Sequence, residues 1–207
     1  LPNVGGEAYY RIGLNGESAA ALLKMRGALS NGELLSLIDS IDAAYRAGAI
    51  DSGVYLDSMR IAAGSAAWDV ASYPSGSGGG ANPGPLESLV NGVAPEARPQ
   101  YAALMRAMYA PRLQSALAGT DVASALLRKS VVDAVAVQGG DPELRRDLAA
   151  RVLPVLGFPA PEGGALPLDE DLRQAALTVA IQDGGKPVLD AVFIALKEAQ
   201  DQSFRKD

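Results

Sequence analysis

Apolar residues recur at helical spacing through most of the chain. The clearest run is Leu34, Leu37, Ile38, Ile41, Ala44 and Tyr45, an i, i+3, i+4, i+7 stripe. Glu33, Ser36, Asp39, Ser40 and Arg46 take the opposite face. Ser30-Asn31-Gly32-Glu33 ahead of the run has the form of a capping box, and Gly48 stands where a helix stops. The same period predicts a short helix over 17–26 and another from Asp51-Ser52 to about Ala63, with Val54, Leu56, Met59 and Ile61 among its apolar residues. A further turn or two carries Trp68 and Val70. Helices are then expected over 86–92, 97–118 with a break near Pro111, 121–138, 142–156, 169–183 and 186–203. Ser130 to Val137 has strand propensity, yet it continues Ala125-Leu126-Leu127-Arg128-Lys129 without interruption and reads as helix.

Two stretches break the pattern, both read as flexible loops: 73–85, dense in Gly, Ser and Pro, and 157–168, with Pro159, Pro161, Gly163, Gly164 and Pro167. Residues 1–14 differ again. Ala8-Tyr9-Tyr10-Arg11-Ile12 between Gly6 and Gly13 suggests a short strand, and a lone strand needs partners from elsewhere. An internal echo stands out as well. Gly139-Gly140-Asp141-Pro142 and Gly184-Gly185-Lys186-Pro187 lie 45 residues apart, each with Gly where a helix ends and Pro where the next begins. Helix pairs repeating at roughly 40–47 residues mark HEAT and armadillo arrays. The expected fold is therefore all-α, a HEAT/armadillo-like superhelix of stacked helix pairs over 15–207, with a strand remnant over 1–14.

Composition supports the helical reading. Hydrophobic residues make up 48% of the 207, inflated by Ala, while aromatics are 5%. A β-sandwich would call for more Val, Ile, Tyr and Phe. The net charge of −6 argues against nucleic acid, which needs a cationic footprint, and no apolar run approaches the ~20 residues of a membrane span. There is no Cys, which excludes disulfides and thiolate metal sites and leaves the compartment open. The start at Leu1-Pro2-Asn3-Val4 lacks Met and a signal pattern, and predicts a cut inside a longer protein.

The count of zero His is the most informative. It removes the commonest general base and metal ligand, and with them every Ser-His-Asp arrangement and H-E-x-x-H site in this chain. Asp169-Glu170-Asp171, and Asp141 with Glu143, could suggest acid/base or metal chemistry, but both groups open helices, where carboxylates complement the dipole and cap free amides. Ser18, Ser30, Ser36, Ser52 and Ser130 sit in or at the ends of helices without a G-x-S-x-G elbow. A Ser-Lys dyad would need Lys24, Lys129, Lys186 or Lys197 buried beside a Ser, and no S-x-x-K motif is present. Gly76 to Ala81 matches a dinucleotide fingerprint loosely, but no strand precedes it and Pro83 and Pro85 follow. Trp68 and the tyrosines at 9, 10, 45, 55, 73, 101 and 109 are expected as core or groove anchors. No residue is assigned a catalytic, cofactor-binding or metal role.

Several segments together resemble one family. Asn3 through Ile12 is similar to an "N-x-x-x-G-Y-Y-R-V" strand, with Ala8 in place of Gly, and Leu37 through Gly48 is similar to "L-x-x-D-x-x-A-L-A-x-A-G". Trp68 falls where a Trp is frequent, and Leu127-Arg128 followed by Gly140-Asp141-Pro142 resembles an "L-R … G-D-P" helix-turn-helix. Asp171-Leu172-Arg173 and Asp201-Gln202-Ser203-Phe204-Arg205 are similar to the repeats that follow. The chain thus resembles the C-terminal helical domain of zinc aminopeptidases of the aminopeptidase N and puromycin-sensitive type, including the endoplasmic-reticulum aminopeptidases. The 73–85 loop departs from that pattern by its length.

The resemblance implies a non-catalytic α-superhelix that closes over an upstream zinc catalytic domain and limits which peptides enter. It implies that residues 1–14 end a preceding β-sandwich, that zinc and its H-E-x-x-H ligands lie only in the catalytic domain, and as partners the protein's own catalytic domain and peptide substrates; that neither nucleic acid nor membrane is a partner is expected from the net charge and the lack of a long apolar run. It also implies that further helices usually follow where this chain reaches Asp207. The alternative is a free-standing HEAT-like binding scaffold.

Overall fold

The computed structural model describes residues 11–76, 83–162 and 164–198. Local chemistry sets the helix starts. Asn15 and Ser18 cap α1 (Gly16–Lys24) reciprocally, the Asn15 side chain accepting from the Ser18 amide at 2.8 Å. Ser30 and Glu33 do the same for α2 (Asn31–Arg46), as the capping box predicts. The Asp51 carboxylate accepts from the Gly53 and Val54 amides ahead of α3 (Ser52–Ala63). After the short α4 (Trp68–Ser72) come α5 (Pro85–Val93) and α6 (Arg98–Tyr109). A 3₁₀ turn at Ala110–Arg112 separates α6 from α7 (Leu113–Ala118), which is the break expected near Pro111. Asp121 caps α8 (Val122–Val132), Asp141 caps α9 (Pro142–Val152), and α10 spans Glu170–Glu198.

The fold is all-α, and no strand occurs among the described residues. Most of the strand expected at Ala8 to Ile12, with Tyr9 and Tyr10, lies outside them, as do Ser77 to Ala81 and the end from Ala199. Residues 11–15 have no regular secondary structure. They rest on α2, where Ile12 donates its amide to Ser40 Oγ at 3.1 Å and Arg11 pairs with Asp39.

One interior runs through these elements. The predicted stripe of α2 is buried except for the half-buried Tyr45, with Leu37, Ile38 and Ile41 fully so, against α3 and its Tyr55 and Met59; Ser40, expected on the opposite face, is buried as well, its hydroxyl bonded to the Ser36 carbonyl and to the Ile12 amide. The β-branched run that ends α8 and continues past it is buried too: Val131, Val132 and Val135 lie in one continuous helical stretch that meets α4, α6, α7 and α10. Packing decides between strand and helix there, because the run begins inside a capped helix with apolar neighbours around it. Beyond α8 the stretch continues through Asp133–Gln138 as a π-helix. Ala62, Ala63, Ala134, Ala136 and Ala176 are fully buried, and these small side chains let the helices approach closely.

The two Gly-Gly-x-Pro segments behave alike. Gly140 (φ 65°) follows the π turn, and Gly185 (φ 61°, ψ −145°) breaks α10 inside its length. Both second glycines take a backbone that a side chain resists. The loops are anchored more firmly than their composition suggests. Pro74 and Ser75 are buried, and a Cβ on Gly84 would fall 2.5 Å from the Pro74 carbonyl, so the described ends of 73–85 press on each other. In the second loop, Pro167 accepts from Arg151 Nη1 at 2.7 Å, and Phe158 packs against the core.

Candidate functional site

The residue types that could carry chemistry are mostly occupied with structure. Asp141 accepts from the Leu144 amide at 3.0 Å as a helix cap, and Glu143 is exposed in the same first turn. Asp171 reaches from α10 to Arg128 on α8 at 2.5 Å, and Arg128 also donates to the carbonyls of Leu117 and Gly119. The acidic triplet is thus a helix start that ties two helices together. Ser18 and Ser30 are caps, Ser130 Oγ donates back to the Leu126 carbonyl, and Lys186 is paired with Asp190 at 2.6 Å. Trp68 is not a core anchor: it opens α4 and is 42% exposed, whereas Tyr55, Tyr101 and Tyr109 are buried.

Three polar networks, only the first of them centred on a buried carboxylate, were not legible in the sequence. In the first, Asp42 accepts from the Tyr55 hydroxyl at 3.0 Å and from Arg46 Nε at 2.8 Å, while the Tyr55 ring stacks on Tyr45 with centroids 4.1 Å apart. Burial, with the Asp42 charge beside it, holds the Tyr55 phenol protonated far above its usual range. In the second, Asp39 gathers Arg11, bidentate, and the Tyr73 hydroxyl at 3.1 Å.

The third lies at the π turn. Gln138 Nε2 donates to Asp133 Oδ2 at 2.7 Å and to the Ser75 carbonyl at 2.8 Å, and its Oε1 accepts from the Tyr101 hydroxyl. Desolvation pushes the Asp133 carboxyl up to about 6, opposed by the Gln138 bond and Lys129 and reinforced by Glu87. Two arginines act as caps close by: Arg112 donates to the carbonyls of Ala63, the last residue of α3, and of Ser65 just beyond it, and Arg106 to the Gly139 carbonyl. Only the Asp42–Arg46 spacing, four apart on one helix, is a signal that the sequence offers in advance.

Surface clefts are also present among the described residues. One of about 630 Å³ lies between α8 and the start of α10, where Arg128 and Lys129 face Asp169, Glu170 and Asp171. Another, of about 330 Å³, lies between α1 and α3. Among the described residues no group of three or more acidic, His or Cys side chains could hold a metal ion, and no helix is long and apolar enough to cross a membrane.

The sequence model of a family described as ERAP1-like C-terminal domain matches residues 1–207. No curated protein and no solved structure matches the chain.

Proposed function

The chain belongs to the ERAP1-like C-terminal domain family, and from that membership we propose that it is the non-catalytic helical wall of a zinc aminopeptidase, enclosing the chamber in which peptides lose their N-terminal residues. The observation that carries this reading is the family match over the whole chain. The all-α fold supports it, as does the recurrence of a positive-φ glycine at 140 and again at 185, in keeping with helix pairs stacked as a superhelix. The residues of this chain do not fit the zinc: there is no His, and no acidic cluster among the described residues suits an ion. The metal and the hydrolytic water therefore belong to the catalytic domain, and this chain contributes shape. It would bar or admit peptides by length and present a surface to that domain.

The test has two steps. The coding sequence upstream of Leu1 is expected to encode H-E-x-x-H with a downstream Glu, and its absence would leave a free-standing helical scaffold instead. The full-length protein is then compared with a version lacking this domain, on an aminoacyl-naphthylamide and on a ladder of peptides of increasing length. Deletion is expected to leave the small substrate turned over while changing the dependence on peptide length. An unchanged length profile would overturn the chamber role.

A further inference from the structure

α1 and α3 start side by side. Gly16, at the head of α1, faces Asp51, the cap of α3. The nine-residue α1 stops at Lys24, while the twelve-residue α3 runs on to Ala63. The 330 Å³ cleft runs between the two helices, lined by the last turn of α1 and by α3 from Val54 to Ile61. Its floor is apolar: Leu23 from α1, with half-buried Val54 and Ile61, which share a face of α3 at i, i+7. Its rim is cationic, with Lys24, Arg26 and Arg60, and Asp57 is the one carboxylate lining it.

The charge there is not neutralised in place. Arg60 meets Asp57 at 3.0 Å with the two side chains 53% and 69% exposed, a pairing that contributes little. Arg26 spends one N–H on the Leu23 carbonyl at 3.3 Å, out of the five a guanidinium carries. The α8–α10 cleft is different, since three carboxylates there balance Arg128 and Lys129. In a chain of net charge −6, a cleft with three cations and one acid offers an acidic partner a local attraction that the rest of the molecule opposes.

We propose that the α1–α3 cleft docks a segment of a partner protein that presents one large apolar side chain flanked by carboxylates. The volume and apolar floor suit a side chain, and the arginine forks suit carboxylates. A polyanion such as nucleic acid would meet the repulsion of the whole acidic chain.

The test uses the full chain and a fluorescein-labelled dodecapeptide with Leu and Glu at helical spacing, against the same peptide with Lys in place of Glu. Fluorescence anisotropy is expected to show the Glu peptide binding at least tenfold tighter, and less tightly as salt rises. The double variant Lys24→Glu, Arg60→Glu is expected to lose at least tenfold and to favour the Lys peptide. Both positions are exposed, so circular dichroism should be unchanged. Arg60→Lys, which keeps the charge and loses the fork, is expected to fall between. Amide shifts should centre on Leu23, Val54 and Ile61. Equal binding of the two peptides, an unaffected double variant, or shifts centred on the exposed Leu189, Phe193 and Ile194 face of α10 would overturn the proposal. No peptidase activity is read, so this failure is separable from failure of the family-based reading.

Discussion

Asp133 is a carboxylate that folding places at a disadvantage. Its surroundings lift its carboxyl to about 6 from the ordinary 3.8. The folded chain therefore keeps this proton up to about pH 6, while the unfolded chain releases it near pH 4. The stability that comes from the protonated form is fully present at low pH and is lost as pH rises between those values. Above them the folded state carries a largely buried charge. Asp133→Asn still accepts from Gln138 and cannot ionise. It is expected to raise stability at pH 7.5 by at most about 3 kcal/mol, with the gain vanishing near pH 4. Urea denaturation at the two pH values checks this, and a gain independent of pH would refute the cause. Tyr55→Phe tests the opposite case. It keeps the ring on Tyr45 but strips a donor from Asp42, which is 7% exposed. A loss of about 1–3 kcal/mol is expected in thermal melts.

At the scale of elements, helix starts follow from short-range chemistry and helix partners do not. The breaks follow from backbone geometry. Gly185 sits at φ 61°, ψ −145°, a conformation that an alanine adopts only under strain. Gly185→Ala is expected to cost about 1–3 kcal/mol, although the same exchange inside a regular helix would be favourable. Comparing denaturation midpoints with those of Gly140→Ala, whose φ is 65°, tests whether the two breaks respond alike, as the 45-residue echo implies. Ion pairs then join the elements: Arg128 to Asp171 between α8 and α10, and Arg145 to Asp183 between α9 and α10 at 2.6 Å. Arg145 also reaches the Ala136 carbonyl in the π turn, so that one side chain binds three segments.

At the scale of the molecule, the buried residues form one cluster from Leu14 to Val192. A continuous core predicts one cooperative unfolding transition. Ile41→Ala in α2 and Leu148→Ala in α9 each empty a fully buried site. Each is expected to destabilise by about 2–5 kcal/mol and to move the same transition. Calorimetry checks this: a variant that splits the transition would show two units where one is expected.

The sequence by itself determined the helices, their caps and their breaks. Each depends on residues within about four positions of one another, as with Ser30 and Glu33, or on a single residue's own dihedrals, as at Gly140 and Gly185. It also determined by subtraction that no histidine-based chemistry belongs to this chain. Only the tertiary structure decided which helices meet, and so the contacts that link distant residues. Gln138 joins Ser75 across 63 positions and Arg112 caps α3 from 49 away. The same packing left Trp68 half in solvent, continued α8 into a π turn, pressed the ends of a Gly-rich loop together and opened a cationic cleft between α1 and α3. Hydrophobic periodicity says which face of a helix is covered; helix length and crossing geometry say by what, and these arise only when the whole chain is packed.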